Sequence, residues 1–259
     1  MTIFPSSIIP PPSTLIPPMR LLVNIDHVAT LRNARGEGVP SPALAAQICE
    51  ANGAAGIVFH LREDRRHIKD ADVWQLKKVV KGILDFEMAA TDEMIGISLE
   101  VQPHLVTLVP EKRMELTTEG GLDLSVASGD LRQRVIPQYN GTGITISLFV
   151  NPDIEDMERS ADLGVEAVEL HTGTYAHAFR DGDYSYELER LVKAAERAHQ
   201  LGLLVNAGHG LSMQNLPPFL EAVPHLNDIS IGHALVTDAL FEGLPSIVRR
   251  MSDLIGGSK

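Results

Sequence analysis

Histidine, carboxylate and arginine residues recur at comparable positions along this sequence. Of its ten histidines, His27, His60, His171, His209 and His233 stand at or just past the ends of short apolar or β-branched runs. Windows of three residues at such ends cover roughly a tenth of the chain, so random placement in a barrel would put about one histidine there. A single histidine in such a place reads as a hydrogen-bonded core residue. Five read as imidazoles gathered at one mouth, able to take up and release protons near neutral pH. Two carboxylates lie inside the runs themselves: Glu87 between Phe86 and Met88, and Glu169 between Val168 and Leu170. Desolvation raises such a carboxyl toward neutrality, which suits a general base; the alternative is a buried structural ion pair.

A second chemistry is anion binding. Gly208-His209-Gly210 and Gly232-His233 follow the seventh and eighth runs. Small residues there let backbone N–H groups and a helix start approach a phosphate, although glycine also simply ends strands. Arg32, Arg35, Arg62, Arg65, Arg66, His67, Lys112 and Arg113 gather after the first, second and fourth runs. The chain carries 22 basic against 34 acidic residues, a net charge of −12. Local cations against that field point to built anion sites, and two groups of them to two anionic groups. The plainer reading is a solvated loop with surface pairs, as in Glu63-Asp64-Arg65-Arg66. Lysine is scarce in the runs, which disfavours a Schiff-base mechanism. Asn24-x-Asp26-His27 lacks the H-x-H spacing of barrel metallohydrolases, so no metal is expected.

These residues need elements to carry them. Eight short runs, 21–25, 56–60, 85–89, 105–109, 145–150, 167–170, 203–206 and 228–231, recur at about 30 residues per unit, the size of a strand plus a returning helix. Helix signals lie between them. Ser41-Pro42 is a cap with proline at the first helical position, and Asn52-Gly53 is a stop. Thr91 caps 92–102, Asn151-Pro152 opens a segment ending at Leu163-Gly164, and 186–201 keeps one apolar face. A last helix shows Leu240, Leu244, Ile247, Val248, Met251 and Leu254 as its stripe. Strands alternating with helices imply a parallel sheet, and eight units predict an α/β fold, the (β/α)8 TIM barrel with extra helices. A doubly wound sheet is the alternative, but its G-x-G-x-x-G fingerprint is missing after the first run. The connection 110–143 is long for a barrel loop and reads as a lid, part of it an extra helix. Residues 1–18, rich in proline and without charge, read as a flexible tail ahead of a single catalytic domain, 19–259.

Composition excludes several classes. Apolar residues make up 44% and charged residues 22%, as in an ordinary globular protein. The acidic balance repels phosphate backbones, so nucleic acid is not an expected partner. No run approaches a membrane span, no signal peptide is legible, and Cys49 has no intrachain partner, all consistent with the cytoplasm.

Four motifs in order make the match specific. Asn24-x-Asp26-His27-x-Ala29-Thr30-Leu31-Arg32-Asn33-Ala34-Arg35, His60-Leu61-Arg62-Glu63-Asp64-Arg65-Arg66-His67, Val109-Pro110-Glu111-Lys112-Arg113 with Thr117-Thr118-Glu119-Gly120-Gly121, and Asn206-Ala207-Gly208-His209-Gly210-Leu211 resemble the pyridoxine 5′-phosphate synthase family of vitamin B6 biosynthesis. The resemblance implies a cofactor-independent condensation of 1-deoxy-D-xylulose 5-phosphate with 3-amino-2-oxopropyl phosphate, giving pyridoxine 5′-phosphate, phosphate and water. It implies His60 and Glu87 as general bases, His209 as general acid and Glu169 as stabiliser of a charged transition state. It implies Asp26, His27, Arg62, His67 and Thr117 around the xylulose phosphate, and Asn24, Arg35, Gly210, Gly232 and His233 around the amino-ketone phosphate. It also implies a cytoplasmic homo-oligomer, an octamer. The stretch 177–186 departs from the family pattern. Two other classes remain open on the residues alone: a non-catalytic phosphometabolite-binding barrel and a metal-dependent sugar-phosphate enzyme.

Overall fold

The computed structural model of the protein describes residues 19–111 and 120–257. Eight parallel strands close into a barrel in sequence order, the eighth pairing with the first. They are β1 (Arg20–Asn24), β2 (Gly56–His60), β3 (Ile83–Met88), β4 (Leu105–Leu108), β5 (Thr145–Val150), β6 (Ala167–Leu170), β7 (Leu204–Ala207) and β8 (Leu226–Ile231). This is the (β/α)8 barrel that the spacing of the apolar runs predicts. The Pro-rich stretch 1–18 lies outside the described residues.

Around the strands run α1 (Asp26–Asn33), α2 (Pro42–Ala51), α3 (Asp70–Val79), α4 (Asp92–Val101), α5 (Leu124–Asp130), α6 (Ile154–Leu163), α7 (Gly173–Asp181), α8 (Ser185–Gln200), α9 (Leu216–Ala222), α10 (His233–Glu242) and α11 (Leu244–Gly257). Local chemistry sets several ends. The Ser41 hydroxyl accepts from Leu44 N–H and Thr91 Oγ1 from Met94 N–H, each satisfying a first-turn donor. Gly164 ends α6 at φ +80°, a conformation glycine adopts without strain. Part of the long connection before β5 is helical, as expected: α5 runs into a single wide turn, Leu131–Val135, and a 3-10 turn, Ile136–Tyr139.

Two expectations change. The first run ends one residue earlier than expected, at Asn24, and after the single residue Ile25 the residues Asp26 and His27 open α1. The final apolar stripe is not one helix: Gly243, at φ +82°, separates α10 from α11 and leaves Leu240 65% exposed.

Alternate residues of a strand face opposite ways. In β2 to β8 the apolar set, including Ile57, Phe59, Phe86, Val106, Leu148, Val168, Val205 and Ile229, turns outward and packs beneath the helices. The axis of the barrel is polar instead. Asp85, Thr107, Ser147, Glu169, Asn206 and Asp228 are all buried. Thr107 Oγ1 donates to Asp85 at 3.0 Å. At the N-terminal end of the strands the Arg20 guanidinium donates to both oxygens of Asp228, at 2.6 and 2.9 Å. No helix among the described residues is long and apolar enough to cross a membrane.

Candidate active site

A cavity of about 1060 Å³ opens at the C-terminal ends of the strands. His60, Glu87, Glu169 and His209 all line it, from β2, β3, β6 and the turn after β7. Asn24, His27, Arg62, Gly210, Gly232 and His233 line it too. Asp26 is buried beside this set, and His67 stands behind His60 with ring centroids 6.0 Å apart. Arg35 does not line the cavity: its side chain is 79% exposed and paired to Glu37. Thr117, together with Lys112 and Arg113, lies outside the described residues.

Short hydrogen bonds fix one wall. His60 N–H donates to Asp26 Oδ1 at 2.9 Å, and Asp26 N–H donates to Asn24 Oδ1 at 2.9 Å. Asn24 Nδ2 donates to Glu87 Oε2 at 3.3 Å. One ligand-type atom from each of Asp26, His60 and Glu87 lies within 4.8 Å of the others. On its outer side His60 Nε2 meets Glu111 Oε1 at 2.8 Å, and Glu111 Oε2 lies 3.6 Å from Arg62 Nη2. Burial raises the Glu111 carboxyl, but the bond to His60 and the nearby positive charges outweigh it and hold the group below its ordinary range.

The floor holds two carboxyls, Glu169 buried and Glu87 half-buried. Burial, then the charges of Glu169 and Asp26, hold Glu87 well above the usual carboxylate range. Glu169 is pushed up to about 8 by burial and by Asp85 and Asp228. Asp26 is pushed up to about 6, chiefly by burial, against the opposing His60 N–H. Carboxyls facing each other in a dry site do not all ionise, so proton donors and acceptors coexist there near neutral pH.

The opposite wall is imidazole-rich. His27 and His233 meet edge to face at 4.9 Å, and His209 lies 5.4 Å from His171. Burial lowers His27, helped by His233 and His209; burial and His177 lower His209. His67 and His171 are each pushed down to about 4, first by burial and then by neighbouring cationic groups. Close backbone approach shapes this side. A Cβ on Gly208 would lie 1.8 Å from the Ser230 carbonyl oxygen, and one on Gly232 would lie 3.0 Å from Asn24 Cβ. The start of α10 therefore faces the cavity through Gly232, His233 and Ala234, with first-turn N–H groups free of helical acceptors. His27 Nδ1, Arg62 Nε, His171 Nδ1 and Thr174 Oγ1 are buried without hydrogen-bond partners.

The sequence reading left several lining residues unassigned. Phe149 meets His171 and His209 edge to face, and α7 contributes Gly173, Ala176, His177 and Arg180. The signal for the α7 set was its i, i+3, i+4, i+7 spacing, a single helix face.

The family model described as pyridoxal phosphate biosynthesis protein PdxJ matches residues 21–257. A pyridoxine 5′-phosphate synthase of Chlorobium luteolum is 52% identical over 239 residues, covering 92% of this chain and 100% of that protein. One of Syntrophotalea carbinolica is 48% identical over 236 residues, 91% of this chain and 98% of that protein. Among solved structures, KGPDC from Streptococcus mutans in complex with D-R5P superposes with a TM-score of 0.63 at 15% identity, over 93% of this chain and 98% of that one. At that identity the likeness shows the shared barrel fold alone.

Proposed function

Because the chain belongs to the PdxJ family of pyridoxal phosphate biosynthesis proteins, we propose that the groups at its barrel mouth close the ring of pyridoxine 5′-phosphate. It is an enzyme of vitamin B6 biosynthesis, and it condenses 1-deoxy-D-xylulose 5-phosphate with 3-amino-2-oxopropyl phosphate. The observation that carries the residue assignment is the convergence of His60, Glu87, Glu169 and His209 on one cavity between two sets of anion-directed donors.

The reaction needs a neutral amine to attack a ketone, then proton transfers, loss of water and loss of phosphate. Such steps need acids and bases near neutral pKa, held at hydrogen-bonding distance from the substrates. His60 and Glu87 act as bases and His209 as the acid. Burial and His177 lower His209; an adjacent phosphate dianion would favour its protonated form and prime it to donate. Positive charge on the forming imine draws Glu169 down from about 8, so that its carboxylate ionises and offsets that charge. The xylulose phosphate sits by Asp26, His27, Arg62, His67 and Thr117. The amino-ketone phosphate sits by Asn24, Gly210, Gly232 and His233 at the start of α10, with Arg35 reaching it only by leaving Glu37. The reading extends to a cytoplasmic homo-octamer whose partners are these two substrates, without nucleic acid or membrane.

Mixing the purified protein with both substrates tests this: pyridoxine 5′-phosphate absorbance and free phosphate are expected together, and their absence refutes it. One observation favours a second reading. The close ligand atoms of Asp26, His60 and Glu87 also suit a divalent ion. Loss of turnover in chelator, restored by an added metal, would select it.

A further inference from the structure

Helix α7 stands between β6 and α8, and one face of it forms part of the cavity wall. Gly173, Ala176, His177 and Arg180 all line the cavity at i, i+3, i+4 and i+7. The stripe begins small, where α7 crosses the turn after β7: a Cβ on Gly210, at φ +82°, would come within 2.9 Å of Ala176 Cβ. It ends on a cation at the rim.

That cation differs from most of the described arginines. Arg20, Arg32, Arg35, Arg62, Arg65, Arg66, Arg132, Arg134, Arg159, Arg190, Arg197 and Arg250 each have a carboxylate partner. Arg180 and Arg249 have none among the described residues. Arg249 lies on α11 and does not line the cavity, whereas Arg180 does. In a protein with a net charge of −12, a cavity-lining guanidinium without a carboxylate partner among the described residues is available to an anion that arrives from outside.

The site has a matching need. Arg35, the arginine that the family resemblance puts on the amino-ketone phosphate, is turned out toward Glu37. On the assignment above, Gly210 and Gly232 bring backbone donors to that phosphate and His233 an imidazole, but none of them brings a permanent positive charge. We propose that Arg180, with His177 three residues before it on the same face, is the charged clamp for the phosphate ester of 3-amino-2-oxopropyl phosphate. The clamp rests on the substrate assignment made above and adds α7 as the element that selects for a phosphorylated amino-ketone. Guanidinium and phosphate meet through paired N–H donors, and removal of one such charged partner weakens binding by about tenfold or more.

Steady-state kinetics with each substrate varied in turn reads this directly. Arg180→Gln should raise KM for the amino-ketone phosphate about tenfold, with KM for the xylulose phosphate and kcat held within about threefold. Arg180→Lys should recover most of the loss, and Arg249→Gln should match the wild type. An unchanged KM in Arg180→Gln, a rise confined to the xylulose phosphate, or a lysine variant as poor as the glutamine one would each overturn the clamp. Calorimetric titration with inorganic phosphate reads it without turnover. Binding about tenfold weaker in Arg180→Gln than in wild type supports the clamp, and equal binding overturns it. A wild type that binds phosphate through Arg180 yet forms no product would instead refute the reaction assigned above.

Discussion

Glu87 and Glu169 share the cavity floor; after burial, the charge of Glu169 is what makes Glu87 harder to ionise, while Asp85 and Asp228 do the same for Glu169. Replacing Glu87 with Gln keeps the hydrogen-bonding shape beside Asn24 but removes the proposed base. We expect kcat to fall by about 10²-fold or more while calorimetry still detects substrate binding. The same burial links stability to pH. Glu169 titrates at about 8 in the folded chain against 4.5 for a free carboxyl, and Asp26 at about 6 against 3.8. Both folded values are raised, so the stabilisation is complete below the unfolded values and is lost as pH rises through the folded ones. Urea unfolding midpoints should therefore fall from pH 5 to pH 8, and Glu169→Gln should flatten that slope. At this scale the sequence made residue types legible, since a glutamate between Phe86 and Met88 announces its burial. It left the direction of exposed side chains open. Arg35 turns to Glu37, two residues along the chain, and no spacing rule distinguishes that from a turn into the cavity.

The elements hold the site through a few close backbone approaches. The contrast between two glycines shows which matter. Gly208→Ala drives a Cβ into the Ser230 carbonyl of the neighbouring strand and should destabilise the protein by about 3 kcal/mol or more. Gly164→Ala meets nothing within 4 Å, so only its φ of +80° counts, at about 1–2 kcal/mol. Urea unfolding of the two variants separates crowding from backbone strain. Element boundaries were legible where the signals were local: Ser41-Pro42, Thr91 and Leu163-Gly164 mark helix ends in the structure as in the sequence. They were hidden where one element follows another without a loop. Only Ile25 separates β1 from α1, so the first run gave no sign of a helix beginning at Asp26. Leu240 and Leu244 keep helical spacing across Gly243 although they belong to different helices. Periodicity detects a repeating face but not a change of axis between two short helices.

At the scale of the molecule, the last turn of α10 carries Leu240 and Phe241, 65% and 88% exposed. For the proposed homo-oligomer we expect sedimentation velocity to report a mass several times the 28.2 kDa of one chain, and Phe241→Glu to lower it. A species of single-chain mass in the wild type would contradict the assembly. The closure of β1 on β8 also orders events during synthesis. Asn24, which contacts Glu87 through its amide, packs against Gly232, near the other end of the described chain. A nascent chain can pair its early strands while later ones are still in the ribosomal tunnel, yet its phosphate-facing wall does not exist until β8 has emerged. Catalytic competence is therefore a late, all-or-nothing event, and a ribosome-stalled fragment ending before residue 226 should hold most of the acid–base groups and turn over nothing.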